Sequence, residues 1–484
     1  MNHDAFLPPK LNPLVLGLVR RSLPALLRWH AGGIKVEISE ADLSRLAALK
    51  GQRVMLLPNH PTHFDPLVMF QISGQLGEDF RYVACREAFD FENGARGWLF
   101  QRCGVYSLIR GAPDRDSFAT TQATLVEGKH WLTIFIEGEV SLENDTLIPF
   151  EPGVLSLAMR AQETLSKSPD PALSSAPIYA VPVALRTHYN SEIEIAIGKA
   201  VIELEESVGL AAGNGFTHWQ DTRERIIKIG LAVMTAVERT YRLSPGESDD
   251  LEKRLANLKD HMLSRMEAYL DLHPAAGDSL LNRIRAVHLK IDRIIYAYGE
   301  VPKTASTYEL RLLEKRREAF VDFYGDMDRL LNVLTLRGGY LDHATPERFA
   351  EVVIRLQEEI LGKRKLVYPR VGHVSVGQLT SLLDHLEDFR TDKRQTAAKL
   401  AGQFERDMSE MLGSKGTGNR IPRKCRESEM TNRACRFSGK WCARFRWNQG
   451  LMRLTGLGIA KPPSKSHNSK PSGSLMFPIN LEKD

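Results

Sequence analysis

The pattern of apolar and polar positions divides the chain into two regimes. Between residues 34 and 210, short apolar runs alternate with helical stretches. Residues 36–38, 53–57, 80–84, 106–109, 131–136 and 178–184 have the make-up of strands, and 192–197 alternates Glu with Ile and Ala as a half-exposed strand does. Residues 66–73, 95–102, 117–127 and 153–163 read as helices. That alternation predicts an α/β architecture with layered helices and a mixed sheet. From about Phe216 the apolar period becomes 3.6. Leu251, Leu255, Leu258, Met262, Met266 and Leu270 form one stripe, and Leu280, Ile284, Val287, Ile291, Ile294 and Tyr298 a second. Leu313, Phe320, Phe323, Met327, Leu330 and Leu334 form a third. Ser244-Pro245-Gly246-Glu247 has the capping-box spacing, and Thr345-Pro346-Glu347 starts another helix in the same manner. The expectation is an additional all-α bundle of five or six antiparallel helices.

Residues 371–376 interrupt the helical regime with a strand ending in Gly377, much as 192–197 ends in Gly198. This suggests a helical insertion over 216–366, a returning strand and a final amphipathic helix over 367–412, and a sheet domain over 34–215. Residues 1–33 stand apart. Leu14, Val15, Leu16, Leu18, Val19, Leu23, Leu26 and Leu27 lie beside Arg20, Arg21 and Arg28, with a bend expected at Pro24. Such a segment suits a membrane interface or packing on its own domain. No apolar run reaches the roughly 20 residues of a membrane span.

Composition changes this picture mainly at the C-terminus. The 484 residues and 43% hydrophobic content fit about three domains with a sizeable core. The net charge is +5, but residues 413–484 hold 15 Lys and Arg against 4 Asp and Glu. That segment carries +11, so the remainder sums to −6. Its Gly, Ser, Pro and basic content predicts a disordered basic tail. Trp441, Phe445 and Trp447 among cations could bind nucleic acid or anionic lipid. The preferred reading is a tail without selected function, and no nucleic-acid partner is expected. Five scattered cysteines without a CxxC pair argue for a reducing compartment.

The candidate chemistry sits at Asn59-His60-Pro61-Thr62-His63-Phe64-Asp65, just past a strand end. An imidazole beside a carboxylate can take a proton from an alcohol, the carboxylate holding the second ring nitrogen. The competing readings are a helix cap and, through His63, a metal cluster. Other polar groups also follow strands: Cys85-Arg86-Glu87-Ala88, Gly104 to Arg110, and Glu137-Gly138-Glu139.

In this order the blocks resemble the glycerolipid acyltransferase family, whose best-known members acylate lysophosphatidic acid. Asn59-His60 with Asp65 is similar to the family's first block, and Gly104 to Arg110 to the second. Phe135-Ile136-Glu137-Gly138 is similar to the third and Val181-Pro182-Val183 to the fourth. The likeness spans roughly residues 14–198. It implies His60 as the base, Asp65 as its orienting partner, and Arg86, Arg110, Glu137 and Gly138 as acceptor-binding residues. Arg86 and Arg110 also have a reading as surface salt-bridge residues. The family's third block usually has Pro before the Glu and continues with Thr-Arg-Ser after the Gly. Ile136, Glu139 and Val140 replace the Pro, Thr and Arg, which leaves Arg86 and Arg110 to neutralise a phosphate. Family members often carry a strand like 371–376 at the sheet's far edge. The resemblance implies acyl transfer from acyl-CoA or acyl carrier protein to a lysophospholipid hydroxyl at the cytoplasmic side of a membrane. No bound cofactor and no metal are implied.

Overall fold

The structure is a computed structural model. It describes residues 6–30, 33–110, 114–189, 192–243, 251–275, 277–278, 280–297, 306–334, 340–342, 345–366 and 369–414. The expected capping box at Ser244 and nearly all of the basic tail lie outside these residues.

The strands are β1 (Ile34–Ile38), β2 (Arg53–Pro58), β3 (Phe80–Cys85), β4 (Val105–Leu108), β5 (Trp131–Thr133), β6 (Ile178–Tyr189), β7 (Arg370–Val376) and β8 (Thr380–Ser381). They form one mixed sheet in the order β1-β7-β6-β2-β5-β3-β4, with β8 pairing β6. The pairs from β6 through β2, β5 and β3 to β4 are parallel, as is β1 with β7. β7 runs antiparallel to β6. The strand expected at the far edge thus lies inside the sheet, between β1 and β6, where it takes hydrogen bonds on both sides.

The helices that accompany the sheet are α1 (Pro13–Ala25), α2 (Glu40–Ala47), α3 (Asp65–Leu76), α4 (Ala95–Arg102), α5 (Arg115–Glu127), α6 (Pro152–Leu165) and α7 (Pro171–Ser174). Next come α8 (Ile193–Ser207), α9 (Trp219–Thr240), α10 (Leu251–Leu270), α11 (Leu280–Asp292), α12 (Thr307–Leu334) and α13 (Pro346–Leu361). After the return through β7 and β8 come α14 (Leu386–Thr391) and α15 (Lys393–Ser414).

β2 shows why the sheet takes this form. After Arg53 its residues are apolar and buried without a break, as burial on both faces requires. Side chains alternate between the faces. Val54 and Leu56 pack with Leu16, Leu23, Leu46, Met69 and Ile72 of α1, α2 and α3. Met55 and Leu57 pack on the other face with Leu125, Leu155, Met159, Leu400 and Phe404 of α5, α6 and α15.

Two segments differ from the sequence-based expectation. Residues 192–197 are not a strand; they open α8. Ile193, Ile197, Val201 and Leu204 recur at helical spacing, and all are buried in the bundle core with Ile229, Leu258, Val287 and Leu356. Six residues of alternation did not reveal that longer period. Nor is the stretch after β7, expected as the final helix within 367–412, a single helix. It forms β8, a 3-10 turn at Leu382–His385, α14 and α15. Asp392 ends α14 in extended backbone, and its carboxylate accepts from the Gln395 N–H (2.9 Å) at the start of α15.

Candidate active site

The site begins where β2 stops. Asn59 is buried, and its side chain pairs with the backbone of Leu185 on β6. Nδ2 donates to the Leu185 carbonyl (3.0 Å) and Oδ1 accepts from the Leu185 N–H (2.6 Å). Asn144 repeats the arrangement two residues on, with the carbonyl and N–H of Thr187 (2.7 and 2.6 Å). A carboxamide carries one donor and one acceptor side by side, so each asparagine imitates a strand residue. β6 is thereby paired beyond the end of β2, and the chain is released at His60.

His60 is fixed through its backbone, its ring face and its Nδ1, and its carbonyl accepts from the Ser141 N–H (2.9 Å). Its backbone N–H donates to Glu137 Oε1 (2.7 Å). Its ring stacks on Phe135, with centroids 4.1 Å apart and planes 22° apart. Its Nδ1 lies 2.9 Å from Asp65 Oδ2. Asp65 is in the first turn of α3, where the helix dipole favours a negative charge. It also accepts from the Thr62 N–H (2.7 Å) and the Thr62 hydroxyl (2.6 Å). An ionised carboxylate only accepts, so Nδ1 carries the hydrogen and Nε2 keeps its lone pair. The His60 side chain is 15% exposed and that of Asp65 only 3%, which leaves the ring reachable and its partner enclosed.

Glu137 is fully buried. Oε1 takes the His60 N–H, and Oε2 takes the Ile148 N–H at 2.8 Å. Burial raises its pKa to about 7 against the pull of those two N–H groups. With both oxygens engaged inside the protein, Glu137 ties the His60 turn to the segment at 148. Gly138 closes that turn, its N–H donating to the Phe135 carbonyl (3.0 Å). Its φ of +73° favours glycine, and a Cβ there would stand 3.3 Å from Glu151 Cγ.

Arg110 lies in a dense ionic cluster. Its Nε donates to Asp292 Oδ2 (2.9 Å), Nη2 pairs with Glu87, and Nη1 is 3.8 Å from Glu139 Oε1. Burial acts to lower its pKa, but Glu87, Asp292 and Glu139 raise it well above the usual value, so it stays charged. Glu139 also faces His288 Nδ1 (3.3 Å). Burial opposes its ionisation, yet His288, Arg110 and Arg285 together hold it down to about 2. Arg86 is buried and pairs with Asp90 on its own turn (2.7 Å).

The helical bundle covers this ground. From α11, Arg285 donates to the Glu137 carbonyl (3.0 Å) and pairs with Glu151 (2.7 Å). Tyr324 of α12 donates to Asp292 Oδ1 (2.6 Å). From α13, Arg355 donates to the Ser141 carbonyl (2.9 Å), and Glu351 accepts from the Asn144 N–H (2.9 Å). His63 faces Arg364; burial first, then that charge, push its imidazole well below the usual value. Among the described residues no three His, Cys, Asp or Glu side chains are arranged to hold a metal ion.

Residues 35–186 match the Acyltransferase family model. No curated protein matches the chain. The matched segment runs from β1 into β6 and contains His60, Asp65, Arg86, Arg110, Glu137 and Gly138. It supports an acyltransferase domain here and a transferase chemistry for the chain.

Within the matched segment the structure brings His60, Asp65, Glu137 and Gly138 together, with Arg110 reaching the same turn through Glu139. Sequence reasoning had no hold on several others. Thr62 and Phe135 stand in the motifs, but nothing in their type announces an aspartate clamp or a stacking floor. Arg285, His288, Asp292, Tyr324 and Arg355 belong to helices whose apolar stripes explain their sequence. Only the folded chain shows that their polar faces meet the site, across separations such as the 182 residues between Arg110 and Asp292.

Proposed function

We propose that the protein transfers an acyl group from acyl-CoA or acyl carrier protein to the free hydroxyl of 1-acyl-sn-glycerol 3-phosphate, giving phosphatidic acid. The observation that carries this reading is the 2.9 Å contact between His60 Nδ1 and Asp65 at the end of a parallel strand, inside the matched segment. His60 Nε2 takes the acceptor's hydroxyl proton as the oxygen attacks the thioester carbonyl. Asp65 stabilises the imidazolium that forms. Collapse of the tetrahedral intermediate expels the thiolate, which recovers the proton from His60. The acyl group passes directly to the alcohol. Burial pushes the Cys103 thiol up to about 11 and the Cys85 thiol well above its usual value, so neither supplies a thiolate at neutral pH. The reaction draws on no bound cofactor beyond the thioester co-substrate.

The place of action in this reading is the cytoplasmic surface of a membrane. No helix of the described residues is long and apolar enough to cross one. α1 nevertheless exposes Leu14 (85%) and Leu18 (69%), and neighbouring α4 exposes Trp98 (53%) and Leu99. Hydrogen bonds from the Lys10 and Asn12 N–H groups to the Gln101 and Arg102 carbonyls join the two surfaces. Exposed Arg21 and Arg28 add charge suited to anionic lipid.

The deciding experiment offers the purified protein labelled acyl-CoA or acyl carrier protein and a panel of acceptors. The panel holds 1-acyl-sn-glycerol 3-phosphate, glycerol 3-phosphate, other lysolipids and monoacylglycerol. Transfer to the first, lost in His60→Ala, is the expected result. Equal turnover by His60→Ala, or transfer to none of them, would refute the reading, the latter in favour of an inactive membrane adaptor.

A further inference from the structure

Each of the three guanidinium nitrogens of Arg110 faces a different carboxylate: Nε faces Asp292, Nη2 faces Glu87 and Nη1 faces Glu139. Three negative charges around one positive oppose a phosphate, and Nε and Nη2 already hydrogen-bond to Asp292 and Glu87. A phosphate can take the place at either of these two nitrogens only if its carboxylate leaves. Glu87 sits in the 3-10 turn directly after β3 and Glu139 in the Glu137-Gly138 turn, both within the segment that carries His60. Asp292 is different. It is the last residue of α11, it belongs to the inserted bundle, and its other oxygen is held by Tyr324 of α12. A π-helical turn, Arg293–Ala297, starts at the next residue, and such turns break the regular helical ladder. Asp292 is therefore the carboxylate that can withdraw without disturbing a strand end.

We propose that Asp292 is a specificity-determining residue: its carboxylate competes with the acceptor's phosphate for Arg110, so that a phosphate-bearing acceptor must displace the end of α11 to bind. This inference rests on the phosphate-acceptor reading above. The helical bundle then acts on the acceptor through one side chain and sets how strongly the phosphate counts. The coupling is reciprocal, because whatever holds α11 down weakens acceptor binding by the same factor.

The test is Asp292→Asn, which keeps shape and an acceptor oxygen for Tyr324 but removes the charge. KM for 1-acyl-sn-glycerol 3-phosphate should fall about tenfold, within the usual range of such couplings, while kcat changes little. KM for monoacylglycerol should not move. An unchanged or raised KM for the phosphate acceptor, in a variant that melts like wild type, overturns the inference alone. If both proteins acylate monoacylglycerol and neither acylates the phosphate acceptor, the acceptor reading falls and this inference with it. Should the variant not fold, hydrogen exchange on the wild-type protein decides. Added glycerol 3-phosphate should speed exchange at residues 285–292, and unaltered exchange at saturating ligand overturns the inference.

Discussion

Replacing Asp65 by Asn separates the charge of the carboxylate from its shape. In the native site Oδ2 accepts from His60 Nδ1 and from the Thr62 N–H, and Oδ1 accepts from the Thr62 hydroxyl. An amide has one oxygen for these two places. The Thr62 N–H can only donate, whereas the Thr62 hydroxyl can also accept. The amide oxygen therefore takes the Oδ2 position and the NH2 group faces the hydroxyl. His60 keeps its hydrogen on Nδ1, so the lone pair stays on Nε2 and the base remains usable. What is lost is the negative charge beside the imidazolium. Two unit charges 2.9 Å apart attract by about 6 kcal/mol at an effective dielectric of about 20. Solvent at the partly exposed ring reduces this, and the excess of a charged over a neutral hydrogen bond, about 1–2 kcal/mol, sets the lower limit. A loss of about 3–4 kcal/mol lies between, or roughly 10²–10³ in kcat. Asp65→Ala, which also releases the tautomer, should fall further. The assay is thiol release from saturating acyl-CoA under saturating acceptor, with melting curves to show that both variants fold. A kcat for Asp65→Asn within about threefold of wild type would defeat the assignment of His60 as base, as would an Asn variant slower than the Ala one.

Three further outcomes are expected. Asn59→Ala leaves the buried Leu185 N–H and carbonyl without their partner, which costs about 1–3 kcal/mol for each group; denaturant unfolding should show it, and a variant within about 0.5 kcal/mol of wild type contradicts the strand-mimic role. Glu137 has a raised pKa of about 7 in the fold, so its contribution to stability is complete below the unfolded carboxylate value and is lost as pH rises through about 7. The loss is about 3 kcal/mol at about 1.4 kcal/mol per pKa unit, and Glu137→Gln should remove that slope; a wild-type-minus-variant difference constant from pH 5 to pH 8 counts against it. Finally, Leu14→Glu combined with Leu18→Glu and Trp98→Glu should abolish sedimentation with anionic vesicles while turnover in detergent micelles persists, each buried apolar side chain contributing about 1.5–3 kcal/mol to membrane binding; undiminished sedimentation points to a different docking face.

How much of this was legible in the sequence follows from where the information lies. β2 could be read because burial on both faces demands an unbroken apolar run, and 54–57 supplies one. Pro346 after Thr345 marked α13 because a missing N–H is harmless in a first helical turn. The His60 and Asp65 pair could be read because strand end, turn and helix start are all local. The failure at 192–197 had the opposite cause. Over so few residues the strand and helix periods coincide, and the choice was made by burial against Ile229 and Leu356, far along the chain. The charged faces of α11 to α13 carried no signal at all. A polar face on an amphipathic helix looks the same whether water or a carboxylate awaits it.

The place of β7 explains why those faces meet the site. The bundle leaves the sheet after β6 and returns through β7, and these strands are adjacent and antiparallel. Both of its tethers therefore enter the sheet side by side. From there α13 reaches Tyr189 and residues 141–145, with Glu347 accepting from the Tyr189 N–H (3.2 Å) and Arg348 pairing with Asp145 (3.1 Å). Residues 141–145 directly follow the Glu137 turn, so seating α13 on them brings α11 over Glu139 and Arg110. β1 in turn finds its strand partner in β7, which lies beyond the matched segment. The matched segment is thus incomplete as a sheet. The chain beyond the matched segment supplies both the strand that β1 pairs with and the carboxylate that occupies Arg110.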